Sequence, residues 1–197
     1  MDGLVSARRA TPADIESVTT IVEHAFANDP LWSRALSPLN VAQRRPFWRL
    51  LTEGTLRYPW TWLLEGDRAT SLWIPPGGTE MSPEQEERLS ALASGLGSEE
   101  DNFHELLRRF DVAHPRAEPH YYLSLLGTHP DHRGQGLGMR LLAHDLELID
   151  EEHCAVYLES SNPANNRRYE NAGFNAVGEF SYPGDGPAVT TMWRPPR

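Results

Sequence analysis

The 197-residue chain predicts a mixed α/β fold, read as one domain over residues 1–197 with a helical insertion at about 75–119. Three observations lead there. Strand-like runs and helix-like stripes follow one another in the order βααββ(αα)βαβαββ, a pattern that packs helices in layers on a sheet. The strongest strand, Tyr121 to Thr128, runs through a glycine-rich turn into an amphipathic helix. The hydrophobic share of 39%, with six Trp, six Tyr and six Phe, is enough for one sizeable core at this length.

Each element has its own signal. Leu4 to Arg9 is a short strand. Thr11-Pro12-Ala13-Asp14 starts a helix, with Thr at the cap, Pro at the first helical position and an acid at the third. Ile15, Val18, Ile21, Val22, Ala25 and Phe26 continue it at helical spacing, and Asn28-Asp29-Pro30 ends it. Val41 to Arg57 is a second helix carrying Phe47, Trp48, Leu50 and Leu51. Trp60–Glu65 and Arg68–Ile74 are strands joined by a Gly66-Asp67 hairpin turn. Pro75-Pro-Gly-Gly78 stops the second. Ser82 to His114 is helical and polar, broken near Gly95-Leu-Gly97. After Tyr121–Thr128 come a helix from Gly138 to about Glu151, a strand Ala155–Glu159, and a short helix Asn165–Ala172 closed by Gly173. Strands Ala176–Tyr182 and Val189–Trp193 flank the turn Pro183-Gly-Asp-Gly186.

Composition narrows the function classes. The net charge is −10, so the basic footprint of a nucleic-acid binder is missing. Acids cluster at Glu80, Glu84, Glu86, Glu87, Glu99, Glu100 and Asp101. They read as a solvated helix face, or as a field that draws in a cationic amine. Cys154 is the only cysteine; it precedes an apolar run and reads as a packed thiol. No run approaches ~18 consecutive apolar residues, and no signal pattern opens the chain. The expectation is a cytoplasmic protein, monomer or homodimer, without nucleic-acid or membrane partners.

The segment Arg133-Gly-Gln-Gly-Leu-Gly138 carries chemistry. Glycines let backbone N–H groups approach a ligand, a helix N-terminus binds phosphate, and Arg133 adds a cation. An ordinary tight turn fits the hexapeptide as well. A Walker A loop is excluded because the chain has no lysine. A dinucleotide fingerprint is opposed by Met139 where its third glycine belongs. His129, Asp131 and His132 precede the loop without the spacing of a zinc motif, so no metal is expected. Downstream, Tyr157-Leu-Glu-Ser-Ser-Asn-Pro-Ala-Asn-Asn-Arg-Arg-Tyr-Glu-Asn-Ala-Gly-Phe174 places Asn165 and Tyr169 four apart on one helix face.

With both motifs in place, the chain resembles the GNAT superfamily of acetyl-CoA-dependent N-acetyltransferases, specifically from Tyr121 to Phe174. A looser likeness to the puromycin N-acetyltransferase group rests on Ala25-Phe-Ala-Asn-Asp-Pro30, Leu72-Trp-Ile-Pro75, His129-Pro-Asp-His132 and Leu158-Glu-Ser-Ser161. The resemblance implies a twisted, mostly antiparallel sheet of about seven strands flanked by helices and splayed at its two central parallel strands. It implies acetyl-CoA as cosubstrate. Leu126, Gly127 and Thr128 would pair with the pantetheine arm, and the N–H groups of Arg133, Gly134, Gln135, Gly136, Leu137 and Gly138 would hold the pyrophosphate. Asn165 would bond the pantetheine end, and Tyr169 would sit beside the thioester sulfur.

A thioester is already activated, so an amine can attack it directly. The leaving thiol has a pKa of about 8.5 and tyrosine about 10, so Tyr169 can protonate the departing sulfur. The general base is less marked. The central strand shows Tyr122 and Ser124 on one face and offers no carboxylate. Glu159 at the end of the next strand is the first candidate and His120 the second. The expected reaction is acetyl transfer to a small primary amine, with an amino-nucleoside or other antibiotic among the acceptors. A peptide N-terminus as acceptor and a non-catalytic acyl-CoA-binding module are the alternatives.

Overall fold

The computed structural model describes residues 6–64 and 66–197. Leu4, Val5 and Glu65, the outer residues of two expected strands, lie outside the described residues. Strand β1 (Ala7–Arg9) leads to a capping box in which Thr11 and Asp14 bond each other's backbone, and a 3₁₀ turn there opens helix α1 (Ile15–Phe26). Helix α2 (Pro30–Ala35) was not expected. Asn28-Asp29-Pro30 both ends α1 and starts α2, because the Asp29 carboxylate accepts from the Leu31 and Trp32 N–H groups and Pro30 occupies the first turn. Helix α3 (Val41–Thr55) and strands β2 (Thr61–Leu64) and β3 (Ala69–Ile74) follow. Gly66 and Asp67 both have positive φ in the β2–β3 turn, the geometry that suits a tight hairpin.

The insertion consists of α4 (Pro83–Ala93), a 3₁₀ segment (Ser94–Glu99) and α5 (Glu100–Ala113). Gly97 breaks the helical path there with φ +58°. Next come β4 (His120–Thr128), α6 (Leu137–Glu151), β5 (Ala155–Ser160), α7 (Asn166–Asn171), β6 (Asn175–Ser181) and β7 (Ala188–Arg194).

One seven-stranded sheet runs β1-β2-β3-β4-β5-β7-β6. Every neighbouring pair is antiparallel except β4 and β5. That parallel pairing covers only His120–Leu123 against Ala155–Leu158. Beyond it β4 stays with β3 out to Thr128, while β5 stays with β7 through Ser160. The ladder between β3 and β4 slips at Ser124: Leu72 faces Leu125 and Trp73 faces Leu123. Such a bulge bends its strand, and here it sits where β4 leaves β5.

Apolar clusters cover both faces of the sheet. Ile21, Val22, Phe47, Trp48 and Phe103 pack on Leu63, Leu72 and Leu125. Leu141, Leu142 and Ile149 of α6 pack on the other face against Trp73, Tyr121, Leu123 and Val156. Full burial contributes roughly 1.5–3 kcal/mol for a side chain of this kind. One acid enters the second layer. Asp145 is completely buried, and its carboxylate accepts from Ser71 Oγ and Trp73 Nε1 and meets His144 Nδ1. Among the described residues, no helix is long and apolar enough to cross a membrane.

Candidate active site

The splay opens a cavity of about 1420 Å³. The glycine loop, the end of α1, the outer half of β4, the end of β5, α7 and the insertion all line it. A cavity this large exceeds the usual ~300–1,000 Å³ of a single small-ligand site.

On one side stands the glycine loop. Gly134 and Gly136 have φ of +77° and +71° with open space beside them. Glycine is therefore required by the backbone and not by crowding. Gly136 is the N-cap of α6 and brings no side-chain acceptor, so first-turn N–H groups remain open to a ligand. Leu137, Gly138 and Met139 of that turn line the cavity. At Gly138 a Cβ would meet Thr128 Oγ1 at 2.9 Å, so the missing side chain lets α6 start close against β4. Gly127 does the same for α1: a Cβ there would stand 3.1 Å from Ala25 Cβ. Gln135 is exposed. The Arg133 guanidinium also has a partner within the chain. It donates to the Ala25 carbonyl at 2.8 Å and ties the loop to the C-terminus of α1. Leu126 and Thr128 line the cavity on the part of β4 that has left β5.

Asn165 and Tyr169 reach the same cavity. Asn165 closes the turn before α7, and its Oδ1 accepts from Arg168 Nη1 at 2.9 Å. Gly173, at φ +96°, turns the chain so that the Phe174 N–H bonds the Tyr169 carbonyl and Phe174 packs edge-on to the Tyr169 ring. Burial pushes the Tyr169 phenol up to about 12, with the Asp29 charge adding to it. Asp29 itself is buried, and its second oxygen accepts from Ser161 Oγ at 2.8 Å.

The opposite side is acidic. The Glu159 side chain is 2% exposed, and its Oε2 is buried without a hydrogen-bond partner. Burial raises its pKa to about 8; the phenols of Tyr122 and Tyr157 oppose that rise, and the Glu80 charge reinforces it. Glu80 was read as part of a solvated helix face or of a field that draws in a cationic amine. It lines the cavity, where the Ser124 hydroxyl at the bulge donates to it. Burial holds its pKa above the usual carboxylate range. The Tyr58 hydroxyl accepts from the Thr79 N–H at 2.9 Å and donates to its carbonyl, pinning the segment next to Glu80. Gly54 admits that segment, since a Cβ there would collide with the Glu80 carbonyl.

His114, at the end of α5, was also missed by the sequence reading. Its Nδ1 stands 3.9 Å from Glu159 Oε1, and its Nε2 lies 3.1 Å from His120 Nε2. His120 Nδ1 lies 2.7 Å from the Glu118 carbonyl and must be the protonated nitrogen there. The network then assigns the His114 proton to Nε2 and leaves Nδ1 free to accept from the Glu159 side. Burial, then the His120 charge, lowers His114 to about 4. His120, the second candidate base, stands behind His114 relative to Glu159. Alternation along β4 pairs Tyr122 with Ser124, and this, with Glu159 at the end of the next strand, was the sequence signal for the acidic side.

Elsewhere, burial raises the Cys154 thiol, and its Sγ contacts the Pro119 carbonyl. His129 bonds His24 Nδ1 at 3.2 Å. Among the described residues, no cluster of three or more His, Cys, Asp or Glu could hold a metal ion.

The sequence model of the acetyltransferase (GNAT) family matches residues 47–174. An uncharacterized N-acetyltransferase of Schizosaccharomyces pombe is 26% identical over 191 residues, covering 86% of this chain and 74% of that protein. Among solved structures, histone acetyltransferase HPA2 and related acetyltransferase of Corynebacterium glutamicum superposes with a TM-score of 0.67 at 24% identity, covering 98% of this chain and 97% of that one. Arylalkylamine N-acetyltransferase 2 of Aedes aegypti gives 0.74 at 15% identity, covering 98% and 99%. A polyamine N-acetyltransferase of Drosophila melanogaster that forms N-acetylagmatine gives 0.61 at 18%, covering 97% and 99%. At these identities the superpositions speak for the fold alone.

Proposed function

Because the chain belongs to the acetyltransferase (GNAT) family and is an acyltransferase, we propose that it moves an acetyl group from acetyl-CoA directly to the primary amine of a small molecule. One observation carries this reading. A single cavity joins an uncapped helix N-terminus and Tyr169 on one side to the desolvated carboxyl of Glu159, whose Oε2 has no hydrogen-bond partner, on the other. Its volume leaves room for two substrates. Two structural neighbours named for small amines support the acceptor class. The insertion supplies Glu80 and His114 to the site, so we read residues 1–197 as one catalytic domain.

In this reading the phosphates rest on the first turn of α6 and the loop N–H groups. The pantetheine arm extends the free edge of β4 at Leu126–Thr128, and Asn165 bonds its amide. Glu159, in the ionised form it gains as pH rises through about 8, takes a proton from the ammonium. The amine nitrogen then forms the C–N bond, and a backbone N–H of the splayed strand stabilises the oxyanion, a contribution of a few kcal/mol per donor. As the C–S bond breaks, Tyr169 gives its proton to sulfur and is restored by the second proton leaving nitrogen. The products are the N-acetyl amine and CoA, with one proton released from the starting ammonium. That proton leaves Glu159 by way of His114 and His120. A phenol near 12 keeps its proton at neutral pH and is a weaker acid than free tyrosine, so it acts only as sulfur gains charge.

Calorimetry with acetyl-CoA and a CoA-thiol release assay over amines, puromycin and peptides included, test the reading. Micromolar binding and amine-dependent thiol release are expected. Absence of acetyl-CoA binding would refute it. Peptide-only turnover would favour N-terminal acetylation, and binding without transfer to any amine a non-catalytic module.

A further inference from the structure

The acceptor half of the cavity has two parts of different chemistry. In one part the Glu80 and Glu159 carboxyls line the cavity together with Tyr122, which lies close enough to feel both. The guanidinium groups that line the cavity are held elsewhere: Arg116 by Asp111, Arg168 by Asn165 and Arg133 by the end of α1. The unpartnered Oε2 of Glu159 is buried and still asks for a donor, and burying an unsatisfied acceptor is costly unless a ligand supplies the bond. An ammonium brings three N–H donors, and its charge favours the ionised form of a carboxyl it meets.

The wall above is apolar. Trp32 stacks on Phe110, with centroids 5.9 Å apart and planes 7° apart, and leans on Phe47 at 5.2 Å. Leu51, Met81 and Leu107 continue the lining. These rings are braced by one another before any ligand arrives, so an apolar body placed there orders little that is not already ordered. A second cation in the ligand would instead lose hydration against that wall.

Resting on the transferase reading, we propose that the acceptor is a hydrophobic primary amine with a single positive charge, an aralkyl or alkyl amine. Its ammonium is received between Glu80 and Glu159, and its body lies against Trp32, Phe47 and Phe110. Glu80 is the specificity-determining residue in this assignment, and Glu159 accepts the proton.

The test is calorimetry on the full chain with phenethylamine, octylamine, agmatine, spermidine and an alanyl dipeptide, each paired with CoA-release kinetics. Phenethylamine and octylamine should bind at least tenfold more tightly than the polyamines and the dipeptide. Glu80→Gln keeps an acceptor for Ser124 and should weaken phenethylamine about tenfold while leaving acetyl-CoA affinity unchanged. Phe110→Ala should weaken phenethylamine but not methylamine. Preference for agmatine, spermidine or the dipeptide would overturn the proposal, as would an unchanged phenethylamine affinity in Glu80→Gln. The two readings fail separately. Thiol release driven best by agmatine removes this acceptor class and leaves the transferase; phenethylamine binding through Glu80 without thiol release from any amine does the reverse.

Discussion

Replacing Glu159 by Gln removes the proposed base and a strongly perturbed buried carboxyl at once, so two readouts bear on one residue. The folded pKa is about 8 against an ordinary 4.5, and the facing groups are Tyr122, Tyr157, His114 and Glu80. Below pH 4.5 the carboxyl is protonated in folded and unfolded chains alike and adds no pH dependence. Between the two values the folded chain holds the extra proton. Stability therefore falls as pH rises, by ~1.4 kcal/mol for each pH unit, on the order of 5 kcal/mol across the window as an upper limit. Above 8 the loss is complete. Glu159→Gln cannot titrate, so urea denaturation from pH 4 to 9 should show its stability gaining on wild type steadily between about 5 and 8. The same substitution should cut turnover by roughly 10²–10⁴, the usual worth of a general base. Stability curves that stay parallel across this range would refute the buried-acid assignment, and unchanged turnover would remove Glu159 from the chemistry.

Two further outcomes follow from the opposite side of the cavity. Tyr169→Phe keeps the ring packed against Phe174 and should lower kcat about a hundredfold with acetyl-CoA affinity intact; equal kcat would exclude the phenol as the acid. Gly136→Ala forces a Cβ onto a residue at φ +71°, a strain of about 1–2 kcal/mol, and intrudes on the phosphate side. Acetyl-CoA affinity should drop about tenfold by calorimetry, and an undiminished affinity would mean that the loop does not hold the phosphates.

Much of the fold was legible because its signals are local. Apolar alternation marks β4, the capping pair Thr11/Asp14 marks the start of α1, and Gly173 marks the end of α7. Asn165 and Tyr169 share a cavity with the glycine loop because both sit at the strand–helix junctions where β4 and β5 end. Helix α2 escaped notice since Asn28-Asp29-Pro30 is equally a stop signal and a start signal. At Arg133 the sequence is ambiguous for a different reason: a guanidinium at a loop mouth serves a phosphate or a carbonyl equally well, and the fold brings the Ala25 carbonyl within its reach.

By itself the sequence determined the order of elements, the conformational need for glycine at the loop and the residues proposed for the donor side of the site. All three depend on residues within a few positions of one another. The acceptor side was decided by tertiary structure. Glu80 lies 44 positions before Ser124, and His114 lies 45 positions before Glu159. Neither separation leaves a periodic trace in the chain. A carboxyl with an ordinary solvated look became a half-buried acid in the cavity lining because Gly54 admitted its backbone, Tyr58 pinned its neighbour and the Ser124 hydroxyl at the bulge donates to it. Burial and contact across the sheet are properties of the folded chain, and they set which carboxyl groups line this cavity.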